Sequence, residues 1–185
     1  MPAHEPTASG VLRVYVPATV RMLRGLVAEG EFTAVNGLAF AITPMLREAY
    51  SSGTDEELAE VAMAEAARAS LRLLAAELAD DADAHDRDGN PVRRRAVVAA
   101  DLDNVRARPD LDDAVVRISG PIPLARVGSV HVDLAEAEEA VTRAVEVIDA
   151  ADLGDPDAEF VLGDAEDHQL AWYATQELPF LIELL

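Results

Sequence analysis

The chain has 185 residues, with 35 Asp and Glu against 15 Arg and no Lys, a formal net charge of −20. It has no cysteine and only 4% aromatic residues, which removes disulfides, zinc–thiolate and iron–sulfur sites and cysteine nucleophiles. A polyanion lacks the basic footprint that neutralises phosphates, so nucleic acids and anionic membrane surfaces are poor partners for it.

This length suits one domain that buries roughly 70% of its unfolded surface. No apolar run approaches the ~20 residues of a membrane span. The opening MPAHEPTASG has neither the basic nor the apolar region of a signal peptide. The expected location is therefore the cytoplasm. The Arg-only basic set and the abundance of Ala read as codon usage in a GC-rich genome.

Residues 1–10 are predicted to be a disordered lead, and 11–185 a single domain. Val11 to Val16 is a short β-rich run and reads as the first strand. Val20, Leu23, Leu26 and Val27 fall on one helical face that stops at Gly30. Leu38 to Ile42 reads as the second strand. Thr43 then caps a short helix with Pro44 at its first position. Thr54-Asp55-Glu56-Glu57 is a capping box that opens a helix over about 55–79. The middle of that helix, Val61 to Ala69, is apolar nearly all round, so burial on several sides is expected.

A mobile acidic loop is expected over 80–91. Its Asp86-Arg87-Asp88-Gly89 imitates the centre of a calcium-binding EF-hand loop. Aligning Gly89 with that motif's glycine puts Ala84 and Arg95 at ligand positions, so an EF-hand is rejected and only weak cation binding is kept. Ala96 to Ala100, Val115 to Ile118 and Val127 to Asp133 are three further strands. Ala135 to Ala150 is an amphipathic helix with Ala140, Val141, Ala144, Val145 and Ile148 as its stripe. Ala158 to Leu185 reads as one or two helices interrupted at Pro179.

The fold expected from this order is α/β to α+β, a mixed five-stranded sheet covered by helices. The first two connections contain helices, so the first three strands are expected to run parallel.

Parallel sheets bind ligands outside the carboxyl ends of their strands. Thr19, Thr43, Asp101, Asp103, His131 and Asp133 all fall at such ends, and their joint placement would make a polar cleft. Within it His131, Asp133 and Asp101 are the candidate catalytic groups. A carboxylate beside an imidazole raises its pKa or sets its tautomer, as acid–base and metal chemistry require. Trp172, Tyr173, Thr19 and Thr43 are the candidate ligand wall. The plainer alternative for the Thr and Asp residues is helix capping, and for His131 a satisfied sheet-end histidine. Asp164, Asp167 and His168 share a helical face, but the metal-binding helix motif needs a second His, so no metal site is assigned. Glu65 and Arg68 read most simply as a partly buried ion pair. No phosphate-binding glycine motif or nucleophile elbow occurs, and no cofactor is expected.

Five segments are familiar as a set: Val14 to Thr19, Phe40 to Pro44, Ala66 to Ser70, His131-Val132-Asp133, and Trp172 to Glu177. On them the chain resembles a family of proteins of unknown function from GC-rich actinobacteria, over about residues 12–180. The resemblance implies one cytosolic domain, assigns no activity or site residue, and makes Asp80 to Pro91 a variable insertion. The expected function is binding, either to a second copy of the chain or to another protein, through the apolar terminal helix that carries Trp172, Tyr173, Phe180, Leu181, Ile182, Leu184 and Leu185. The alternative is an enzyme or binder of small molecules or divalent cations using the strand-end cleft.

Overall fold

The computed structural model describes residues 10–83 and 91–185. Strand β1 (Leu12–Ala18) leads to helix α1 (Val20–Glu29), a two-residue β2 (Glu31–Phe32) and β3 (Leu38–Ala41). Helices α2 (Pro44–Ala49) and α3 (Asp55–Asp83) follow, then β4 (Ala96–Leu102), β5 (Arg106–Ala107), β6 (Val115–Arg117), β7 (Ile122–Pro123) and β8 (Val127–Val132). The chain closes with α4 (Glu138–Asp152), α5 (Pro156–Glu166), β9 (Ala171–Ala174) and α6 (Leu178–Leu184).

The sheet has seven strands in the order β5-β6-β3-β1-β4-β8-β9, and β2 pairs separately with β7. Every neighbouring pair is antiparallel. This corrects the expected five-stranded sheet with three parallel strands. The first connection contains α1 but does not end there. Gly30 stops the helix in a left-handed turn (φ 75°), its N–H bonded to the Leu26 carbonyl. The stretch through Gly37 then carries the chain back to the end where β1 finished, so β3 runs against β1. Gly37 is required at this turn: its φ is 65°, and a Cβ would lie 3.0 Å from the Ile118 carbonyl oxygen. The second connection, α2 and α3, does join two strands of the same direction. However, β1 lies between β3 and β4, antiparallel to both.

The tail is the second correction. Helix α5 stops at Glu166, and Trp172 and Tyr173 belong to β9, an edge strand of the sheet, not to a helix. Pro179 sits in the first turn of α6, where its missing N–H costs nothing, so it starts that helix. Helix α3 runs four residues beyond its expected end, to Asp83. The predicted disordered lead apart from Gly10, and residues 84–90 of the acidic loop with its whole calcium-like stretch Asp86 to Gly89, lie outside the described residues.

Strand alternation divides the core. Val14, Val16, Ala39, Ala41, Val98, Ala100, Val130 and Val132 pack against Leu23 and Leu26 of α1 and Leu178 and Leu181 of α6. Phe40, Val97 and Val115 face the other way and meet Leu58, Ala62 and Ala66 of α3. At ~1.5 Å per residue, the 29 residues of α3 span about 44 Å. The helix therefore overruns the sheet, and its Leu71 and Leu74 join α4 and α5 in a third cluster. Ser70 is fully buried at the crossing. Its hydroxyl donates to the Ala18 carbonyl (2.7 Å) and accepts from the Ala96 amide (3.1 Å). Arg68 does not pair with Glu65. It reaches Glu159 (2.8 Å), Asp152 (3.4 Å) and Glu166 (3.6 Å), while Arg72 grips Asp152 at 2.6 Å.

Candidate functional site

Helix α3 packs over β3, β1 and β4, and the face it covers continues onto β8. Register places Tyr15 opposite Ala99, Ala99 opposite Ser129, and Val97 opposite His131. Between α3 and β8 a cleft of about 720 Å³ opens. One wall is α3, with Glu60, Met63, Ala64, Glu65 and Arg68; the floor is Tyr15, His131 and Arg95. The segment joining α5 to β9, Glu166 with His168 to Leu170, closes the far side. Small-molecule sites occupy ~300–1,000 Å³ and combine apolar walls with a few polar groups. This cleft has that character. It is larger than the hollow of about 380 Å³ beside the Arg94–Glu138 pair and the one of about 190 Å³ beside Thr43.

The Nε2 of His131 lies 3.0 Å from the Ser129 hydroxyl, two residues along the same face. Burial, and then the nearby Arg13 cation, push the His131 pKa below the usual histidine value. Its ring is therefore neutral at neutral pH and offers one donor and one acceptor. Arg13 holds Asp101 in a two-pronged pair at 2.6 and 2.9 Å, which keeps that carboxyl below its usual range. The β4–β8 register slips between Ala99 and Ala100, leaving Gly128 as an extra residue. A Cβ there would come within 3.0 Å of the Arg13 guanidinium. The bulge glycine thus makes room for the arginine beside Ser129.

Burial raises the Tyr15 pKa, so its phenol stays protonated. Glu65 is half-buried, and no hydrogen bond or ion pair to a described residue is formed by its carboxylate. Burial raises its pKa, and Asp112 and Glu166 add to the effect while Arg68 and Arg72 oppose it.

The antiparallel sheet distributes the strand-end groups over two ends. Thr19 and Asp133 fall at one end of the sheet, Thr43 and Asp101 at the other. Both threonines are N-caps: Thr19 accepts from the Met22 amide and Thr43 from the Leu46 amide. Thr19 also donates to Glu77, and Thr43 to the Asp113 carbonyl. Asp133 is fully buried against Arg95, which is 2% exposed. It receives Nε, Nη2 and the backbone N–H of Arg95, each at 2.8 Å. Arg95 also donates to the His168 carbonyl at 2.7 Å, anchoring the cleft's far wall. Asp101 is four register positions from the residue opposite His131, about 13 Å along the strand at ~3.3 Å per residue. Trp172 lies directly across from His131 on β9 and is largely exposed, whereas Tyr173 turns to the α1 side of the sheet.

Of the sequence-predicted residues, the structure therefore brings His131 and Trp172 together. It does not bring Asp101, Thr19 or Thr43 to them. Tyr15, Met63 and the cleft role of Glu65 were missed. The available signal was an acidic side chain in the most apolar part of a long helix. Among the described residues, no group of three or more His, Asp or Glu is placed to hold a metal ion. No helix among them is long and apolar enough to cross a membrane.

No curated protein and no solved structure matches the chain. A family match covers nearly the whole fold, from the first residue of β1 into α6. The chain belongs to a family of unknown function, DUF6912, whose pattern it matches over residues 12–182.

Proposed function

We propose that this is a small-molecule binding protein of the cytoplasm whose ligand lies in the cleft between α3 and β8. One observation carries the reading. A volume of about 720 Å³ joins the apolar surfaces of Tyr15, Met63 and Leu170 to the polar groups of His131 and Glu65. Arginine in place of lysine throughout supports an origin in the GC-rich actinobacteria.

The test is a thermal-shift screen of ring-bearing fragments on the wild type and on Ala64→Trp. Ala64 is an exposed residue of the cleft wall, so the indole fills the cleft without entering the core. A fragment at 100 times its Kd adds about 2.7 kcal/mol to stability. The expected result is at least one fragment that shifts the wild type and leaves the variant unmoved. Shifts that survive Ala64→Trp unchanged would remove the cleft as the site.

A second reading, pairing of two copies, draws on β9. It is an edge strand, and edge strands offer free backbone groups. Trp172 is 61% exposed on it, and Phe180 and Leu184 of the following helix are 70% and 84% exposed. Sedimentation of the wild type and of Trp172→Glu tests it, as set out in the Discussion.

A further inference from the structure

We infer that the cleft selects an organic cation, a protonated amine on an apolar body, with the Glu65 carboxylate as its counter-charge. This rests on the cleft being the binding site and adds the ligand's charge.

The inference follows from which charges at the cleft are already committed. Arg95 is held by Asp133, with both oxygens engaged. Arg68 is shared among Glu159, Asp152 and Glu166. His131 is neutral, for the reason given above. Neither arginine is therefore free to meet an anionic ligand. The uncommitted charges are Glu60, exposed at the mouth, and Glu65, half-buried in the wall.

Half-burial without a hydrogen bond to a described residue makes the charged carboxylate a cost to the fold, although its oxygens still reach the water of the cleft. At Glu65 the groups on its own helix, Arg68 and Arg72, oppose that cost from a distance. Asp112, ahead of β6, and Glu166 of α5 increase it. His131 on the cleft floor contributes no charge, and Tyr15 and Arg95 of the floor, Glu60 of α3 and His168 of the far wall are the other titratable groups lining the cleft. A bound ammonium would supply the missing donors and charge, while Tyr15, Met63 and Leu170 cover the ligand's apolar part. Perturbed, unsatisfied acids in clefts are where ligand chemistry concentrates.

Phenethylammonium, phenylacetate and 2-phenylethanol have similar bodies and differ in charge. Their affinities are measured calorimetrically on the wild type, Glu65→Gln and Ala64→Trp. The amine is expected to bind at least tenfold tighter than either isostere, and Glu65→Gln to reduce it to the level of the alcohol. The amine stays protonated below pH ~9. Its affinity should therefore fall as pH drops through the raised Glu65 range, and this dependence should vanish in Glu65→Gln. Glu65→Gln should also unfold at a higher temperature than the wild type at neutral pH, which shows that it is folded. Equal binding of the alcohol or tighter binding of phenylacetate, or amine binding untouched by Glu65→Gln, would overturn the cation assignment. So would failure of the amine to bind at millimolar concentration. If the alcohol binds as well as the amine and Ala64→Trp abolishes both, only the charge assignment falls. If Ala64→Trp leaves all binding in place, the cleft itself is wrong.

Discussion

Arg95 follows two other arginines and precedes an apolar run. The structure buries it completely, opposite Asp133, where β4 and β8 begin to pair. The two residues also exchange backbone bonds, Arg95 N–H to the Asp133 carboxylate and Asp133 N–H to the Arg95 carbonyl. Removing one partner of a buried pair leaves an uncompensated charge and costs about 3–5 kcal/mol. Asp133→Asn should therefore lower the urea midpoint by that stability, with an unchanged denaturant slope. A variant as stable as the wild type would show that the carboxylate does not carry the fold. His131, two residues away, belongs to the cleft. A histidine in an apolar wall and one at a sheet end look identical in sequence, because each is simply one polar residue in an alternating strand.

Helix α3 organises the elements around it. Its Ala-rich middle allows close approach to the sheet, and its length carries it on to α4 and α5. Ser70 joins it to the paired ends of β1 and β4, at Ala18 and Ala96. Replacing Ser70 by Ala would leave a buried carbonyl and a buried amide without partners, a cost of ~1–3 kcal/mol. Ser70→Ala is accordingly expected to lose stability in this range by thermal denaturation. Faster amide hydrogen exchange at Ala96 should accompany it, with exchange in α4 unchanged. Exchange at Ala96 equal to the wild type would mean that the serine is not the seam. The long helix, its capping box and the α1 and α2 caps could be read from local patterns. The two-residue strands β2, β5 and β7 could not, since so short a segment has no period. β9 was read as helix because so short an apolar run, Leu170 to Ala174, fits either state.

Across the whole molecule, the net charge of −20 opposes association of two copies except where the surface is uncharged. Leu170 to Ala174 carries no charge, so the β9 edge is such a place. Salt shortens the Debye length from ~30 Å at 0.01 M to ~3 Å at 1 M. If copies pair through β9, sedimentation should show more dimer at the higher of these salts than at the lower. Trp172→Glu should remain monomeric at both. A wild-type monomer throughout would exclude pairing and leave the cleft as the working surface.

Local properties of this chain were readable because they depend on neighbours in sequence. Apolar spacing set α1, α4 and most long strands, and Thr19, Thr43 and Thr54 marked helix starts. Strand order was not readable, since antiparallel and parallel neighbours bury the same alternating residues. The return of the chain through Gly30 to Gly37 reversed β3, and the insertion of β1 between β3 and β4 followed in space alone. That reversal separated the strand-end polar groups. The cleft arose instead from segments distant in sequence: the face of β1 and β8 with Arg95, one side of α3, and the stretch after α5. Such a hollow depends on long-range packing, and no window of residues encodes it.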